Sequence, residues 1–284
     1  MATQGFDPRQ IMHSDTFEVF HYQEPRPEGV EVHHHDFYEV YYLQGGYVEY
    51  WVDGRIIRLE PGDILLINPQ ELHRPLLTAD TKVYDRIVLW INKAYLEQLT
   101  QPDGELSRCF DQSLPNRICP GERERSVLKQ LVRELVHEYY SQAYGSKISA
   151  QGLFLQLMVQ LNRMALQTKT PDKEERQLSE LVRKSMDYIR DNLSKPLSLE
   201  EIANHLYVSK YHLSHAFSRD VGVSVYRYIM LRRLLMARQQ LLTGQSAGQV
   251  SIVCGFSDYA SFYRAFKAEY GVSPRQYAAN SQPV

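Results

Sequence analysis

The feature of this sequence that most constrains its fold is an internal repeat near the C-terminus. The segment from Ser198 to Tyr228 recurs from Ser246 to Tyr277, with an offset of 48 residues before the turn and 49 after it. Each copy begins with Ser-x-x-Glu or Ser-x-x-Gln, a pattern that caps the first turn of a helix. A short unit that is repeated with its cap indicates a duplicated helix, tight turn and helix.

The second helix of each unit is predicted from its cap and its apolar edge. Ser209 and Ser257 stand where a side-chain oxygen would cap those helices. Two apolar pairs with i, i+4 spacing are predicted to face inward: Leu213 with Phe217, and Phe262 with Phe266. The outward positions are Lys210, Tyr211, Ser214, His215, Tyr259, Ser261, Arg264 and Lys267. Such side chains can read base edges or neutralise phosphates, so we predict two recognition helices for duplex DNA; the alternative is a helical bundle with a polar exterior.

The second unit carries the most specific motif in the chain. It reads Gly255-Phe-Ser-Asp-Tyr-Ala-Ser-Phe-Tyr-Arg-Ala-Phe-Lys267, followed by Tyr270-Gly-Val-Ser-Pro274 and Tyr277. This motif resembles the signature of the AraC/XylS family of transcription regulators, and the resemblance covers about 100 residues, 178–280. The resemblance implies a long helix from Val225 to Leu242 that holds the recognition helices in successive major grooves. The positions it assigns to base contacts are Tyr211, Ser214 and His215 in the first unit, and Ser261 and Arg264 in the second.

Two positions depart from the family's usual pattern. Ser251 stands where Ala is usual, a small change that should leave the packing intact. His215 stands where Arg is frequent, and this disfavours a bidentate contact with guanine by the first unit.

The charge of the chain is divided unevenly between its two halves. From Glu175 onward there are 14 Lys or Arg and 9 Asp or Glu, whereas the rest of the chain has 18 and 25. A basic excess confined to one half favours a polyanionic partner for that half, although a solvated charged face is the usual cause. The charged, Pro-containing stretch 169–177 is predicted to be a linker, and residues 178–284 a DNA-binding domain.

The N-terminal half has the alternation that is typical of β-strands, from Val30 to Asn92. Asp53-Gly54 is predicted to form a two-residue hairpin turn, and Pro61-Gly62-Asp63 a second turn before an apolar strand, residues 64–67. From Gly121 the period becomes helical, which predicts helices over 122–140 and 148–166. This pair either covers the sheet or forms a dimer seam. We predict the seam, with Leu131 and Leu135 in it.

A group of polar residues in this half, His33-x-His35-x3-Glu39-x6-Gly46 with Pro61-Gly62-Asp63 and His73, resembles the two motifs of the cupin barrel. If the segment is one strand, His33, His35 and Glu39 face the same side, and His73 joins them from a later strand. Three imidazoles and a carboxylate suit Zn, Mn or Fe, so one alternative is a metal-dependent isomerase or oxygenase. A purely structural role is also open, in which the histidines are a solvated run before the strand and His73 only caps a loop.

Regulators of the AraC family commonly carry a cupin-like sensor that binds an effector without turnover. The resemblance therefore implies an effector pocket without catalytic residues, cofactor or metal. Its residues would be His33, His35, Glu39, Tyr41, Trp51 and His73. Aromatic faces beside hydroxyl, imidazole and carboxyl groups suit a carbohydrate, although tyrosine is also simply a good strand former.

The predicted fold class is multidomain α+β: a cupin-like antiparallel β-barrel (1–120), a helical dimerisation pair (121–168) and an all-α double helix-turn-helix domain. The predicted partners are promoter DNA, a small effector, a second copy of the chain and, for an activator, RNA polymerase. A cytoplasmic protein is expected, because residues 1–15 contain no signal-peptide core and no apolar run reaches the roughly 18 residues of a membrane span. Cys109, Cys119 and Cys254 are in no CxxC pattern and are predicted to be buried, inert thiols.

Overall fold

The computed structural model describes residues 11–23, 30–77, 84–100, 104–167 and 176–280. The chain divides into two units, Met1–Arg176 and Gln177–Val284. Most of the predicted linker, residues 169–175, lies outside the described residues, and its last two positions form a short strand.

The strands form two antiparallel sheets. They are β1 (Phe17–Tyr22), β2 (Tyr38–Gly46), β3 (Val48–Val52), β4 (Arg55–Leu59), β5 (Ile64–Ile67), β6 (His73–Leu76), β7 (Tyr84–Ile91), β8 (Arg117–Ile118) and β9 (Arg176–Gln177). The first sheet has the order β1-β7-β2-β5-β8, and the second has the order β6-β3-β4-β9. The predicted fold class of the N-terminal half, an antiparallel β domain, is confirmed.

Alternation along the strands divides the tyrosines between two faces. Tyr41 and Tyr50 lie in the interior apolar cluster between the two sheets, together with Val88. Tyr38 and Tyr42 have the opposite parity and lie in the cluster on the outer face of the first sheet. The interior of the barrel is therefore lined by every second residue of each strand.

The predicted hairpin between β3 and β4 is confirmed. Asp53 and Gly54 both have positive φ angles, 44° and 91°, and Val52 pairs with Arg55 across the turn. Two consecutive positive φ angles match the right-handed twist of the flanking strands, and glycine adopts them without steric cost.

Three helices follow in this unit, α1 (Lys93–Gln98), α2 (Glu122–Tyr140) and α3 (Ser146–Gln167), with a 3-10 turn at Arg108–Phe110. The α2 and α3 pair covers the first sheet: Leu135 is fully buried there, and Phe154 stacks on Phe17 with ring centroids 4.5 Å apart. Leu135 has no exposed surface and belongs to the core, so it cannot take part in a seam, whereas Leu131 is 7% exposed at the edge of the outer groove between the two helices. The dimer seam on this helix pair stays a prediction.

The C-terminal unit is entirely helical apart from its first residues. Its helices are α4 (Glu180–Asp191), α5 (Leu199–His205), α6 (Lys210–Val221), α7 (Val225–Leu242), α8 (Ala247–Val253), α9 (Tyr259–Tyr270) and α10 (Pro274–Asn280). The predicted linking helix α7 is confirmed, and its 18 residues span about 27 Å. It is buried on several sides because α6 packs against it from one repeat, and α8 and α9 from the other.

Two further expectations concern the cysteines and membrane-spanning segments. Cys109 and Cys254 are buried as predicted, whereas Cys119 is exposed, so that prediction is wrong for one thiol. In the part of the chain that the structure describes, no helix is both long and apolar enough to cross a membrane.

Candidate DNA-binding surface and effector pocket

The recognition helices begin at side-chain caps. Ser209 caps α6, because its side chain accepts a hydrogen bond from the backbone of His212 at 3.1 Å. In the second unit Asp258 is the cap, and its carboxylate accepts the backbone N–H of Ser261 at 2.7 Å. The prediction of Ser257 is wrong because the extra residue of the second repeat precedes the cap. The hydrogen bonds from the Ser261 backbone and hydroxyl also lower the pKa of Asp258.

The turns of the two units share one backbone conformation with different residues. Gly255 has a φ of 76° in the second turn, and Tyr207, 48 positions earlier, has a φ of 56°. A left-handed residue is favourable for glycine and costly for other side chains. Tyr207 is 96% exposed next to the start of α6, and the sequence alone did not single it out. The one feature of the sequence that could have predicted its positive φ is the alignment of Tyr207 with Gly255 in the repeat.

The inward and outward faces of α6 and α9 follow the prediction. The four predicted inward residues, Leu213, Phe217, Phe262 and Phe266, have no exposed surface. The predicted DNA-contacting residues are exposed at Lys210, Tyr211, His215, Arg264 and Lys267, and half-buried at Ser214 and Ser261. The outer faces therefore present mostly polar and basic groups to solvent.

The two recognition helices differ in how free these groups are. On α6, Lys210 lies 3.4 Å from Glu200 and the ring of Tyr211 stacks on His215 at 5.4 Å. On α9, Arg264 and Lys267 have no ion-pair partner among the residues that the structure describes. The second unit thus has the two cations that are most available to a phosphate or a guanine.

The substitution at Ser251 is accommodated as predicted. The side chain is buried, and its hydroxyl donates to the Gly248 carbonyl at 2.8 Å within α8. A buried hydroxyl with a partner costs little compared with an unsatisfied one.

The polar residues of the N-terminal unit converge, although not on one strand. β2 begins at Tyr38, so His33 and His35 precede the strand, and the single strand on which their shared face with Glu39 was conditional is not formed. His33 instead pairs with His73 through two backbone hydrogen bonds of 3.1 and 3.0 Å. The ring of His73 lies 4.3 Å from that of His33 and 4.9 Å from that of His35, centroid to centroid.

The backbone sets the tautomer of these three imidazoles. Each Nδ1 lies 2.7–3.0 Å from a carbonyl two residues away: His33 at Glu31, His35 at Phe37 and His73 at Glu71. A carbonyl only accepts, so each Nδ1 carries a proton and each neutral ring keeps its lone pair on Nε2. His35 Nε2 is 3.1 Å from Glu39 Oε2, a hydrogen bond that requires a protonated Glu39 when the ring is neutral.

Burial shifts the pKa values of this cluster in that same direction. Burial raises the pKa of Glu39 to about 7, an effect that His33 partly offsets. Burial, reinforced by His33 and His35, lowers the pKa of His73 well below its usual range. A neutral acid beside neutral imidazoles is the least costly way to bury these groups together.

The cluster has the donor chemistry of a metal centre. Ligand atoms of His35, Glu39 and His73 lie within 4.8 Å of one another, and His73 Nε2 is buried with no hydrogen-bond partner. Imidazoles whose second nitrogen is held by a carbonyl are the usual ligands of Zn, Mn or Fe. These residues could therefore hold a divalent ion, and the prediction of a metal-free pocket stays a prediction.

The remaining predicted pocket residues fall on two faces. Tyr41 lies in the barrel interior, 5.1 Å from the Tyr50 ring and 6.3 Å from the Tyr84 ring, centroid to centroid. Trp51 is fully buried but has the opposite parity to Tyr50, so the structure does not bring it to Tyr41. Arg86, which the sequence did not single out, is buried on the interior face of β7 and stacks on Tyr84.

A duplicated helix-turn-helix unit and a two-sheet domain that buries a cluster of imidazoles and a carboxyl group together define a DNA-binding transcription regulator with a ligand-binding domain. An AraC-like ligand binding domain matches residues 18–158, and a helix-turn-helix domain matches residues 202–280. The chain belongs to the AraC family of transcription regulators. The families and relatives it matches are regulators rather than enzymes, so the metal-dependent enzyme alternative has no support from them.

Similarity to individual proteins extends over most of the chain. The HTH-type transcriptional activator RhaS of Yersinia pestis (strain Pestoides F) is 26% identical over 244 residues, 86% of this chain and 87% of the relative. The C-terminal domain of AraT, a response regulator from Geobacillus stearothermophilus, is 30% identical, covers 38% of this chain and 90% of that chain, and has a TM-score of 0.37. An apo variant of ToxT from Vibrio cholerae is 14% identical over 95% of this chain and 99% of that chain, with a TM-score of 0.36.

Proposed function

We propose that this regulator contacts promoter DNA through the outer faces of α6 and α9, and binds a small hydroxylated effector in the barrel of its N-terminal unit. The observation that carries the proposal is the pair of capped helices with polar outer faces, both packed on the buried helix α7. A helix of about 27 Å separates the two reading surfaces by a distance close to one duplex turn, about 34 Å.

The DNA contacts are assigned by exposure and charge. Arg264 is the residue that would read a base, because an exposed guanidinium can donate two hydrogen bonds to guanine. Lys267, Lys210 and His215 would contact phosphates or bases nearby, and Tyr211 and Ser214 complete the face of α6. The hydroxyl of Ser261 donates to Asp258 at 2.8 Å, so this serine would contact DNA only as an acceptor or after releasing its cap.

The effector pocket is assigned to the barrel interior. The hydroxyls of Tyr41 and Tyr84 are buried with no hydrogen-bond partner among the described residues. Aromatic faces with hydroxyls, beside the imidazoles and the Glu39 carboxyl, suit a ligand that stacks its C–H faces and hydrogen-bonds through its own hydroxyls. A carbohydrate or a related metabolite has this chemistry.

The proposed homodimer uses the outer groove between α2 and α3 rather than their buried faces. Val127, Leu131, Leu155 and Val159 line this groove together with Glu134 and Arg163. In a two-fold arrangement the same patch meets itself, so Glu134 of one protomer can pair with Arg163 of the partner. Apolar residues flanked by opposite charges favour a second copy of this chain as the occupant.

The sign of regulation is proposed from the relatives. RhaS is named a transcriptional activator, and we infer activation here, with RNA polymerase as a further partner. A protein that acts on promoter DNA in this way would work in the cytoplasm.

The experiment has two arms, both with the full-length chain. In the first, bound duplexes are selected from a randomised pool, and their affinity is compared with that of a scrambled duplex across salt concentrations. We expect a selected sequence with two short conserved elements about one helical turn apart. Equal affinity for selected and scrambled duplexes would overturn the proposed DNA recognition.

In the second arm the melting temperature is measured with a panel of sugars and sugar acids, each with EDTA and with added divalent metal. A ligand at a hundredfold excess over its dissociation constant stabilises by about 2.7 kcal/mol, which raises the melting temperature by several degrees. A shift that survives EDTA supports a metal-free sensor. A shift that needs the metal would assign His35, Glu39 and His73 as its ligands instead.

A further inference from the structure

Arg86 is a buried cation on the interior face of the barrel. It lies on β7 with the same parity as Tyr84 and Val88, pairs with Leu43 of β2 and Tyr22 of β1, and is 7% exposed. Interior residues of a sheet this well buried are normally apolar, as its neighbours Leu43 and Val88 are.

The guanidinium has few partners for so buried a charge. Its Nη1 donates to the carbonyl of Tyr84 at 3.3 Å, and its Cζ lies 4.0 Å from the centroid of the Tyr84 ring and 4.7 Å from that of the Tyr22 ring. Among the residues that the structure describes, no carboxylate lies within ion-pair distance of it. Only one of its five N–H donors therefore has a hydrogen-bond acceptor among the described residues.

Two other buried arginines show what a structural role looks like. Arg117 pairs with Asp63 at 2.8 Å. Arg233 donates to the carbonyls of Leu193 and Lys195 at 3.1 and 2.6 Å. Arg86 has one carbonyl acceptor and no carboxylate within ion-pair distance among the described residues, although its charge lowers the pKa of Glu39 from further away.

Further donors surround it. Burial raises the pKa values of Tyr41, Tyr50 and Tyr84, so all three remain neutral phenols that can donate. The hydroxyls of Tyr41 and Tyr84 are buried with no described partner. A guanidinium beside neutral phenol hydroxyls is the complement of an oxyanion.

We propose that Arg86 binds an anionic group of the effector, and that the effector is a hydroxylated carboxylate such as a sugar acid. This rests on the proposed function, in which the barrel interior holds the effector. Glu39 lies on the same face, four register positions or about 13 Å along the strands, beside His35. The carboxylate would lie at Arg86, and the hydroxyl groups would extend towards Glu39 and the imidazoles.

The binding test uses matched probes on the full-length protein. Glucose, gluconate, glucuronate and glucose 6-phosphate are compared by calorimetry with the corresponding galactose series. We expect at least one carboxylate to bind at least tenfold more tightly than its neutral parent sugar, and Arg86→Met to abolish that preference. Arg58→Met, on an exposed position of β4, is the matched control and should leave binding unchanged. If only the phosphate ester binds more tightly than its parent sugar, the proposal that the effector is a carboxylate is wrong. If Arg86→Met keeps the preference for the carboxylate, the proposal that Arg86 binds it is wrong.

A second measurement needs no ligand. In a buffer with chloride as the only anion, Arg86→Met should raise the melting temperature of the full-length protein, because it removes a buried charge that has no carboxylate within ion-pair distance among the described residues. Arg117→Met, which breaks the ion pair with Asp63, should lower it. A fall for Arg86→Met as large as that for Arg117→Met would show a structural role and overturn the proposal, whether or not any probe binds. If the parent protein binds a carboxylate but does not bind any duplex selectively, the proposed function would be overturned instead.

Discussion

At the scale of single residues, backbone conformation separates positions that look equivalent in the sequence. Gly255 and Gly271 both have a φ near 75°. A Cβ at Gly271 would meet nothing within 4 Å, whereas one at Gly255 would lie 2.5 Å from the Leu193 carbonyl oxygen. The turn of the second unit therefore depends on a close backbone approach as well as on a left-handed conformation.

We expect Gly255→Ala to lower the free energy of unfolding of the C-terminal unit by more than about 2 kcal/mol, because strain and a backbone clash add. Gly271→Ala is the control, since it carries only the strain, about 1 kcal/mol. Chemical denaturation monitored by circular dichroism measures both. Equal losses in the two variants would contradict the close approach at Gly255.

Glu39 makes the stability of the N-terminal unit depend on pH. Its pKa is raised from an ordinary 4.5 to about 7 in the folded state, so the folded state retains a proton that the unfolded state releases. The stability it contributes is complete below about pH 4.5 and is lost as the pH rises to about 7, a change of about 3 kcal/mol at most.

We therefore expect Glu39→Gln, measured in EDTA, to match the parent protein near pH 4.5 and to melt at a higher temperature above pH 7. Titration of His73 changes the stability only below pH 6.5 and does so in both proteins. The difference between their melting temperatures therefore reports on Glu39. Glu97→Gln, with an exposed carboxylate, is the control. A difference that does not change with pH would show that Glu39 is ionised throughout.

At the scale of elements, α9 separates base reading from phosphate contact. Arg264→Ala should reduce the affinity for a selected duplex by about 1–3 kcal/mol and leave the affinity for a scrambled duplex nearly unchanged. Lys267→Ala should weaken both duplexes and lower the salt dependence of binding by about one unit of slope. Arg275→Ala on α10, also exposed, is the control. The assignment of base reading fails if Arg264→Ala weakens both duplexes equally.

The position of α2 and α3 also decides what each of their faces does. Leu135 packs on the sheet with no exposed surface, while Val127 is 49% exposed in the outer groove. A substitution on the inner face therefore tests folding, and a substitution on the outer face tests association.

At the scale of the whole molecule, assembly provides the sharpest prediction. Val127→Glu should convert a dimer into a folded monomer, because its side chain is 49% exposed and lies outside the core. Ile148→Glu, a fully comparable change on the exposed surface of α3 outside the groove, should remain dimeric. Sedimentation at micromolar concentration measures the mass. A Val127→Glu dimer would place the interface elsewhere.

Local signals are what the sequence alone determined. The repeat, the caps at Ser198 and Ser246, the Asp53-Gly54 turn and the bounds of α2 and α7 all follow from residues within a few positions of one another. These features depend on hydrogen bonds and periodicities that span at most one or two turns, so the pattern itself carries the information. The outward positions on α6 and α9 were predictable for the same reason.

Long-range pairing decided the rest. The pairing of His33 with His73, 40 residues apart, brings the imidazoles together although His33 and His35 precede the strand that carries Glu39. The sheet decides which face of α2 is buried, and the register of β7 with β2 places Arg86 inside the barrel rather than on its surface. Such choices depend on which strands lie side by side and what they cover, and that is set by the summed packing of the domain rather than by any short segment.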